Sequence, residues 1–236
     1  MNIVISQPMF FPWVGMLEQI HAADVFVEYS DVQFSKGSFV NRVQIKAPTE
    51  TRWLTVPLAN LHLGQRIDEV KINATRDWRG EHLELLALAY APAPYLSDML
   101  DLVQSVYARE YKNIAELSAS STMALCRYYG LDSGRSFRNS AALGIGGSSS
   151  RRVLDIVRAL GGDKYITGHG AIRYLDHEAF EAAGVRVEYM DYEKARYPQL
   201  YGEFTPYVSA LDLIANTGTK GIEYIRSGTL YWKDFK

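Results

Sequence analysis

Residues able to stack on rings, hold anions or move protons gather in a few short segments of the chain. In Gln7–Gly15 (QPMFFPWVG), Gln7 is suited to hydrogen-bond a sugar or base, and Phe11 and Trp13 to stack on it. The plainer alternative is a proline-braced turn with its aromatics tucked into the core. In Ser30–Arg42 (SDVQFSKGSFVNR), Asp31, Gln33, Lys36, Asn41 and Arg42 follow in quick succession. Asp31 and Gln33 share a face if the preceding strand continues that far. Asp31 is the best carboxylate here for a general base or a metal. Lys36 and Arg42 could neutralise a diphosphate, Arg through its bidentate fork and Lys as a point charge. The competing reading is a solvated hairpin edge guarded by lysine.

Two further segments lie in the last third. Gly146–Arg152 (GGSSSRR) opens a helix, where such residues can cap it and hold an anion on backbone amides. It lacks the spacing of either Gly-rich nucleotide fingerprint. An arginine in the first turn, Arg151 or Arg152, opposes the helix dipole unless an anion lies between them. In Thr167–Asp176 (TGHGAIRYLD), Gly168 and Gly170 let backbone approach a ligand, and His169 between them is the proton-transfer candidate. His21, His62, His82 and His177 have no metal-ligand partner at sensible spacing, so no metal site is expected. The tail Tyr197–Gly218 adds Pro198, Gln199, Ser209, Asp212 and Asn216, divided between structural and ligand roles.

These loops need a scaffold, and the hydrophobic pattern supplies one. Asn2–Ser6 reads as a buried strand, Val14–Ala23 as a helix and Val25–Tyr29 as a second strand. Strand, helix and strand in that order imply parallel pairing with a right-handed crossover. Phe39–Ala47 and Arg52–Leu58 read as a hairpin, and Glu69–Asn73 as a short strand. Asp77–Gly130 reads as three helices broken at Pro92-Ala93-Pro94 and near Arg109–Lys112. Strands at Ser136–Ser140, Lys164–Thr167 and Val185–Tyr192 then alternate with helices at Ser149–Leu160 and Asp176–Ala183; one short helix follows near Ser209–Ala215. The expected fold class is α/β, a mostly parallel sheet flanked by helices with nucleotidylyltransferase-like or Rossmann-like layering. Residues 1–75 and 131–236 are expected to form its core domain, and 76–130 a helical insert.

Composition narrows the function. The 236 residues carry 25 Lys+Arg against 27 Asp+Glu, a net charge of -2, which argues against wholesale nucleic-acid binding. A hydrophobic share of 47% is ample for a folded core. The one cysteine, Cys126, allows no internal disulfide and no cysteine-based zinc site, and its helical setting makes it a poor nucleophile. No apolar run is long enough to span a membrane, and Met1–Pro8 has no basic leader, so a cytoplasmic location is expected. Sixteen tyrosines exceed what a core of this size needs, so some are expected to line a cleft.

The strings QPMFFPWVG and ADVFVEYSDVQFSKGSFVNR resemble the WbqC-like protein family. RWLTVPL, DWRGEHL, DKYITGHGAIRYLD and YPQLYGEFTPYVSALDLIANTG extend the resemblance over nearly the whole chain. It implies roles for Gln7, Pro8, Trp13, Gly15, Asp31, Gln33, Lys36, Asn41 and Arg42, and for Arg152, Gly168, Gly170, Tyr174, Asp176, Gln199, Ser209, Asp212 and Asn216. The chain departs from the family at Ser30, where an acidic residue is common, at Ser150-Arg151, and at Lys194-Ala195, where His-Pro is common. The resemblance implies transfer of glycine or a similar acyl unit to an amino sugar, in surface-polysaccharide or natural-product assembly. That chemistry needs a base, Asp31 or His169, and oxyanion donors, Asn41 or the Gly168 and Gly170 amides. The expected partners are a small-molecule or nucleotide-sugar substrate and an acyl or aminoacyl carrier protein, with no resident cofactor. Two alternatives stand beside it. Nucleotidyl or adenylyl transfer fits the order of elements but lacks that class's loop histidines, replaced here by Phe11-Pro12-Trp13. The other is a non-catalytic binding partner in a biosynthetic complex.

Overall fold

The structure is a computed structural model and describes residues 1–235. Strand β1 (Asn2–Ser6) buries Ile3, Val4 and Ile5, as a central parallel strand covered on both faces must. Pro8 and Pro12 keep the following loop irregular until α1 (Val14–Ala22) begins. Strand β2 (Val25–Glu28) then pairs in parallel with β1, Ile3 opposite Val25 through Ser6 opposite Glu28. The chain next leaves the sheet. Strands β3 (Arg42–Lys46) and β4 (Thr51–Thr55) form an antiparallel hairpin, and β5 (Leu58–Ala59) and β6 (Lys71–Ile72) a smaller pair. Three helices follow: α2 (Trp78–Ala89), α3 (Leu96–Tyr107) and α4 (Ile114–Tyr128). Asp77 caps α2 by accepting from the Gly80 N–H, and Asn113 caps α4 by accepting from Glu116.

The chain returns through β7 (Ser136–Asn139), α5 (Ser149–Ala159), β8 (Lys164–Thr167), α6 (His177–Ala182), β9 (Arg186–Asp191), α7 (Ala210–Thr217) and β10 (Gly228–Tyr231). The six-stranded sheet has the order β10-β9-β8-β1-β2-β7, parallel except for the antiparallel β10 at its edge. The α/β class with a mostly parallel sheet is therefore what the sequence pattern predicts. Edge strand β10 is an addition, since the tail shows no strand signal in sequence.

Alternation along the strands divides the core. Val4 and Phe26 face one side, where they join α1, α2, α3, α4 and α7 in a single apolar cluster. Ile3, Ile5, Val25 and Val27 face the other, packed with α5 and α6. The layering positions the site. From β1 the chain turns through α1 to β2 on one side, while from β8 it turns through α6 to β9 on the other. The loops after β1 and β8 diverge, opening a crevice at the carboxyl ends of adjacent strands, where open α/β sheets bind ligands. Among the described residues, no helix is long and apolar enough to cross a membrane.

Candidate functional site

A cavity of about 950 Å³ occupies this crevice. Gln7 and Trp13 from the loop after β1, Asp31 and Gln33 from the loop after β2, and the segments Gly147–Arg152 and Gly168–Tyr174 all reach it. Strand β2 ends at Glu28, so Asp31 and Gln33 stand on a loop rather than on an extended strand face. They meet the cavity all the same.

Asp31 is fully engaged. Its Oδ2 accepts from Nη2 of Arg152 at 2.5 Å and its Oδ1 from the hydroxyl of Ser140 at 2.5 Å. Burial alone would raise this carboxyl, but the bonds from Arg152 and Ser140 outweigh it and hold Asp31 below the usual aspartate range. A carboxylate held this way is a weak proton acceptor and a strong anchor. What it anchors is Arg152, in the first turn of α5, whose Nε also donates to the Ile145 carbonyl at 2.9 Å. The guanidinium lies 4.9 Å from the Tyr29 ring centre. Of the five guanidinium N–H donors, these two bonds use only one on Nε and one on Nη2. Beside it, Ser148 stands at the N-cap of α5 without a side-chain capping bond, and Gly147, Ser148 and Ser149 line the cavity. An uncapped helix start next to a positioned arginine suits a phosphate or carboxylate.

His169 also lines the cavity. Its Nε2 lies 2.7 Å from the carbonyl oxygen of Met190, which can only accept, so Nε2 carries the hydrogen. In the neutral ring that leaves Nδ1 as the lone-pair nitrogen. The imidazole is held laterally by Tyr192 and Phe235, at ring-centre distances of 5.2 and 4.7 Å.

An aromatic wall completes the cavity. Trp13 packs 5.1 Å from Tyr192 and 6.1 Å from Tyr207, and the Tyr192 hydroxyl accepts from Gln19 at 2.8 Å. Lys194 donates to the Tyr207 hydroxyl at 2.9 Å. Tyr29, Tyr192 and Tyr207 carry no motif of their own, so sequence reasoning passes over them, and Lys194 stands out there only as a departure from the family pattern. The surplus of tyrosine was the signal available.

Several candidates fall elsewhere. Phe11 is fully buried against Phe10 and Tyr107, in the core rather than beside a ligand. Asn41 is buried and donates to the Val56 carbonyl at 2.9 Å, bracing the β3–β4 hairpin rather than forming an oxyanion site. Arg42 donates to the Gly37 carbonyl and stacks 4.3 Å over Trp53, while Lys36 is exposed outside the cavity. Asp176 caps α6 by accepting from Ala179, and its own N–H donates to Ser150. Gln199 donates to Asp212 and accepts from Lys46 in a buried network that also takes hydroxyls from Tyr90 and Tyr197. Tyr174, Gly168 and Gly170 do line the cavity. Burial pushes the Cys126 thiol up to about 12, so it stays protonated. Among the described residues, no three His, Cys, Asp or Glu side chains are grouped to hold a metal ion.

Comparison with known proteins agrees with the resemblance. A protein of Mycobacterium tuberculosis (strain ATCC 25618 / H37Rv), the uncharacterized protein Rv1507c, is 30% identical over 228 residues, covering 95% of this chain and 97% of its own. No solved structure matches the chain. The model of the WbqC-like protein family matches residues 7–224, from the loop after β1 to beyond α7. Apart from Ile5 and Ser6 of β1, the residues that line the cavity lie inside that span, and the chain belongs to the WbqC-like protein family.

Proposed function

We propose that the protein transfers an acyl or aminoacyl unit to an amine on a phosphate-bearing acceptor, such as a nucleotide-linked amino sugar. The observation that carries this reading is the tautomer of His169: Nε2 is committed to Met190, which leaves Nδ1 as the proton acceptor of a histidine that lines the cavity with Arg152. The acceptor's phosphate rests on Arg152 and the start of α5, and its ring lies along Trp13, Tyr192 and Tyr207. The amine nitrogen attacks the acyl carbonyl of a thioester or ester donor, supplied by a carrier protein. A C–N bond forms as the C–S or C–O bond breaks. The nitrogen's proton passes to Nδ1 of His169 and then to the departing sulfur or oxygen. Gly168 and Gly170 bring backbone to the cavity beside His169, as donors for the oxyanion. Asp31 serves as the orienting anion of Arg152 and not as the base.

A second reading, nucleotidyl transfer, is favoured by one feature: the cavity sits where β1 and β8 diverge, the place open α/β sheets use for nucleotides. One experiment separates the two. The purified protein is incubated with amino-sugar nucleotides and an acyl or aminoacyl thioester, and products are read by mass spectrometry. Amide formation that disappears on replacing the amino group by hydroxyl supports the transfer. Release of pyrophosphate from a nucleoside triphosphate, without amide, supports the alternative.

A further inference from the structure

A second cavity of about 230 Å³ lies on the α1 side of the sheet, between α1, α4 and the carboxyl ends of β2 and β7. Met9, Met16, Met123, Phe26 and Phe137 supply most of its apolar lining, with Gln7, Thr122 and Asn139 as neutral polar groups at its wall. Into this apolar setting β2 delivers one carboxylate. Glu28 follows Phe26 by two positions, so it shares that strand's face. Among the described residues no group donates a hydrogen bond to the Glu28 carboxylate and no cation pairs with it; Arg138, also on the lining, is exposed. Burial, with nothing to offset it, pushes this carboxyl up to about 7.

An unpaired carboxylate among apolar walls is costly, and the complement that relieves the cost is a cation with an apolar body. Methionines adapt to the shape of such a body. We propose that this cavity binds a small primary ammonium compound, its nitrogen on Glu28 and its apolar part among Met9, Met16, Met123 and Phe137. Gln7 and Met9 line both cavities, so the bound amine lies across one wall from the larger site. The amine site stands on Glu28 and these walls whether or not the larger cavity transfers acyl groups.

The test is calorimetric titration, at about pH 8, of phenethylammonium and its neutral isostere phenethyl alcohol. The proteins are the wild type, Glu28→Gln, Ala119→Phe and Arg152→Ala. A charge-assisted contact predicts about tenfold tighter binding of the amine than the alcohol to the wild type. Glu28→Gln removes the preference and leaves the two ligands equal. Ala119→Phe, which fills the cavity from α4, removes binding of both. Arg152→Ala leaves amine binding unchanged. Equal binding of amine and alcohol to the wild type, no binding of the amine, or a preference that survives Glu28→Gln or Ala119→Phe overturns the proposal. Loss of amine binding in Arg152→Ala protein that circular dichroism and a cooperative melt show to be folded places the amine in the larger cavity and also overturns it. Failure of the transfer reading would show separately, as amino-sugar nucleotides that bind neither wild type nor Arg152→Ala.

Discussion

Arg152 and Asp31 stand 121 positions apart and meet at 2.5 Å, with side chains only 7% and 12% exposed. The pair joins the loop after β2 to the first turn of α5, across the crevice that forms the cavity. A cation in the first turn of a helix opposes the dipole. Asp31 offsets that cost and fixes the guanidinium in the cavity wall.

Removing Arg152 therefore does more than remove a ligand contact. Arg152→Ala leaves Asp31 buried with Ser140 as its remaining side-chain partner, and breaking such a pair costs about 3–5 kcal/mol. Urea denaturation is expected to show the loss at neutral pH. Because Asp31 is held below the usual aspartate range, the pair's contribution is complete above that range. It is lost as pH falls through the lowered value, so wild type and variant converge in acid. A difference that persists there contradicts the ion-pair account.

Replacing His169 separates chemistry from binding. His169→Gln is expected to cut the rate of amide formation by about 10²–10⁴-fold while leaving acceptor binding within a few-fold of wild type. The checks are single-turnover rates and calorimetry on the same preparation. A variant with full activity would remove His169 from the proton path.

Gly15 is required by Trp13. A Cβ at Gly15 would clash with the Trp13 ring, so the indole must shift from its place against Tyr192 and Tyr207. Gly15→Ala is expected to cost about 1–3 kcal/mol through this overpacking and to change tryptophan fluorescence. It should also weaken binding of any ligand that stacks on the aromatic wall. An unchanged emission spectrum would show that the ring has not moved.

Glu18 gives the fold a pH dependence of its own. It is buried in α1, with Oε1 unpartnered among the described residues. Burial pushes its carboxyl up to about 7, with Glu193 adding to the rise and hydrogen bonds from Ser227 and the Arg226 backbone opposing it. Below the ordinary glutamate value the folded and unfolded chains are both protonated. As pH rises from there to about 7, the unfolded chain ionises first, so stability falls across that window and is level above it. Glu28, raised to about 7 by burial, adds a slope of the same sign. Glu18→Gln should flatten the fall of melting temperature with pH without abolishing it, and the double variant with Glu28→Gln should remove most of it.

What could be read from the chain alone follows from local physics. The apolar runs read at Asn2–Ser6 and Val25–Tyr29 and the prolines at 8 and 12 act over a few residues, so their elements are legible one at a time. Their β-α-β order also determined the parallel sheet and the placement of loops at its carboxyl end. Strand β10 escaped because it is a half-exposed edge strand, defined by pairing with Glu188–Asp191 rather than by its own hydrophobicity.

The assignment of polar residues was a different matter. Sequence could group Asp31, Asn41, Arg42, Arg152, His169 and Gln199 as chemically able, but not say which would meet. Packing sent Asn41 to the hairpin, Arg42 to Trp53 and Gln199 to the Asp212 network. It brought Asp31, Arg152 and His169 to one cavity. A buried polar group must find its partners wherever the fold places them. Those partners lie far along the chain, 153 positions for Lys46 and Gln199 and 198 for Ser209 and the Phe11 carbonyl. Propensity and periodicity reach a few residues along the chain, so the elements were determined locally, while the pairing of their side chains was decided when the layers packed.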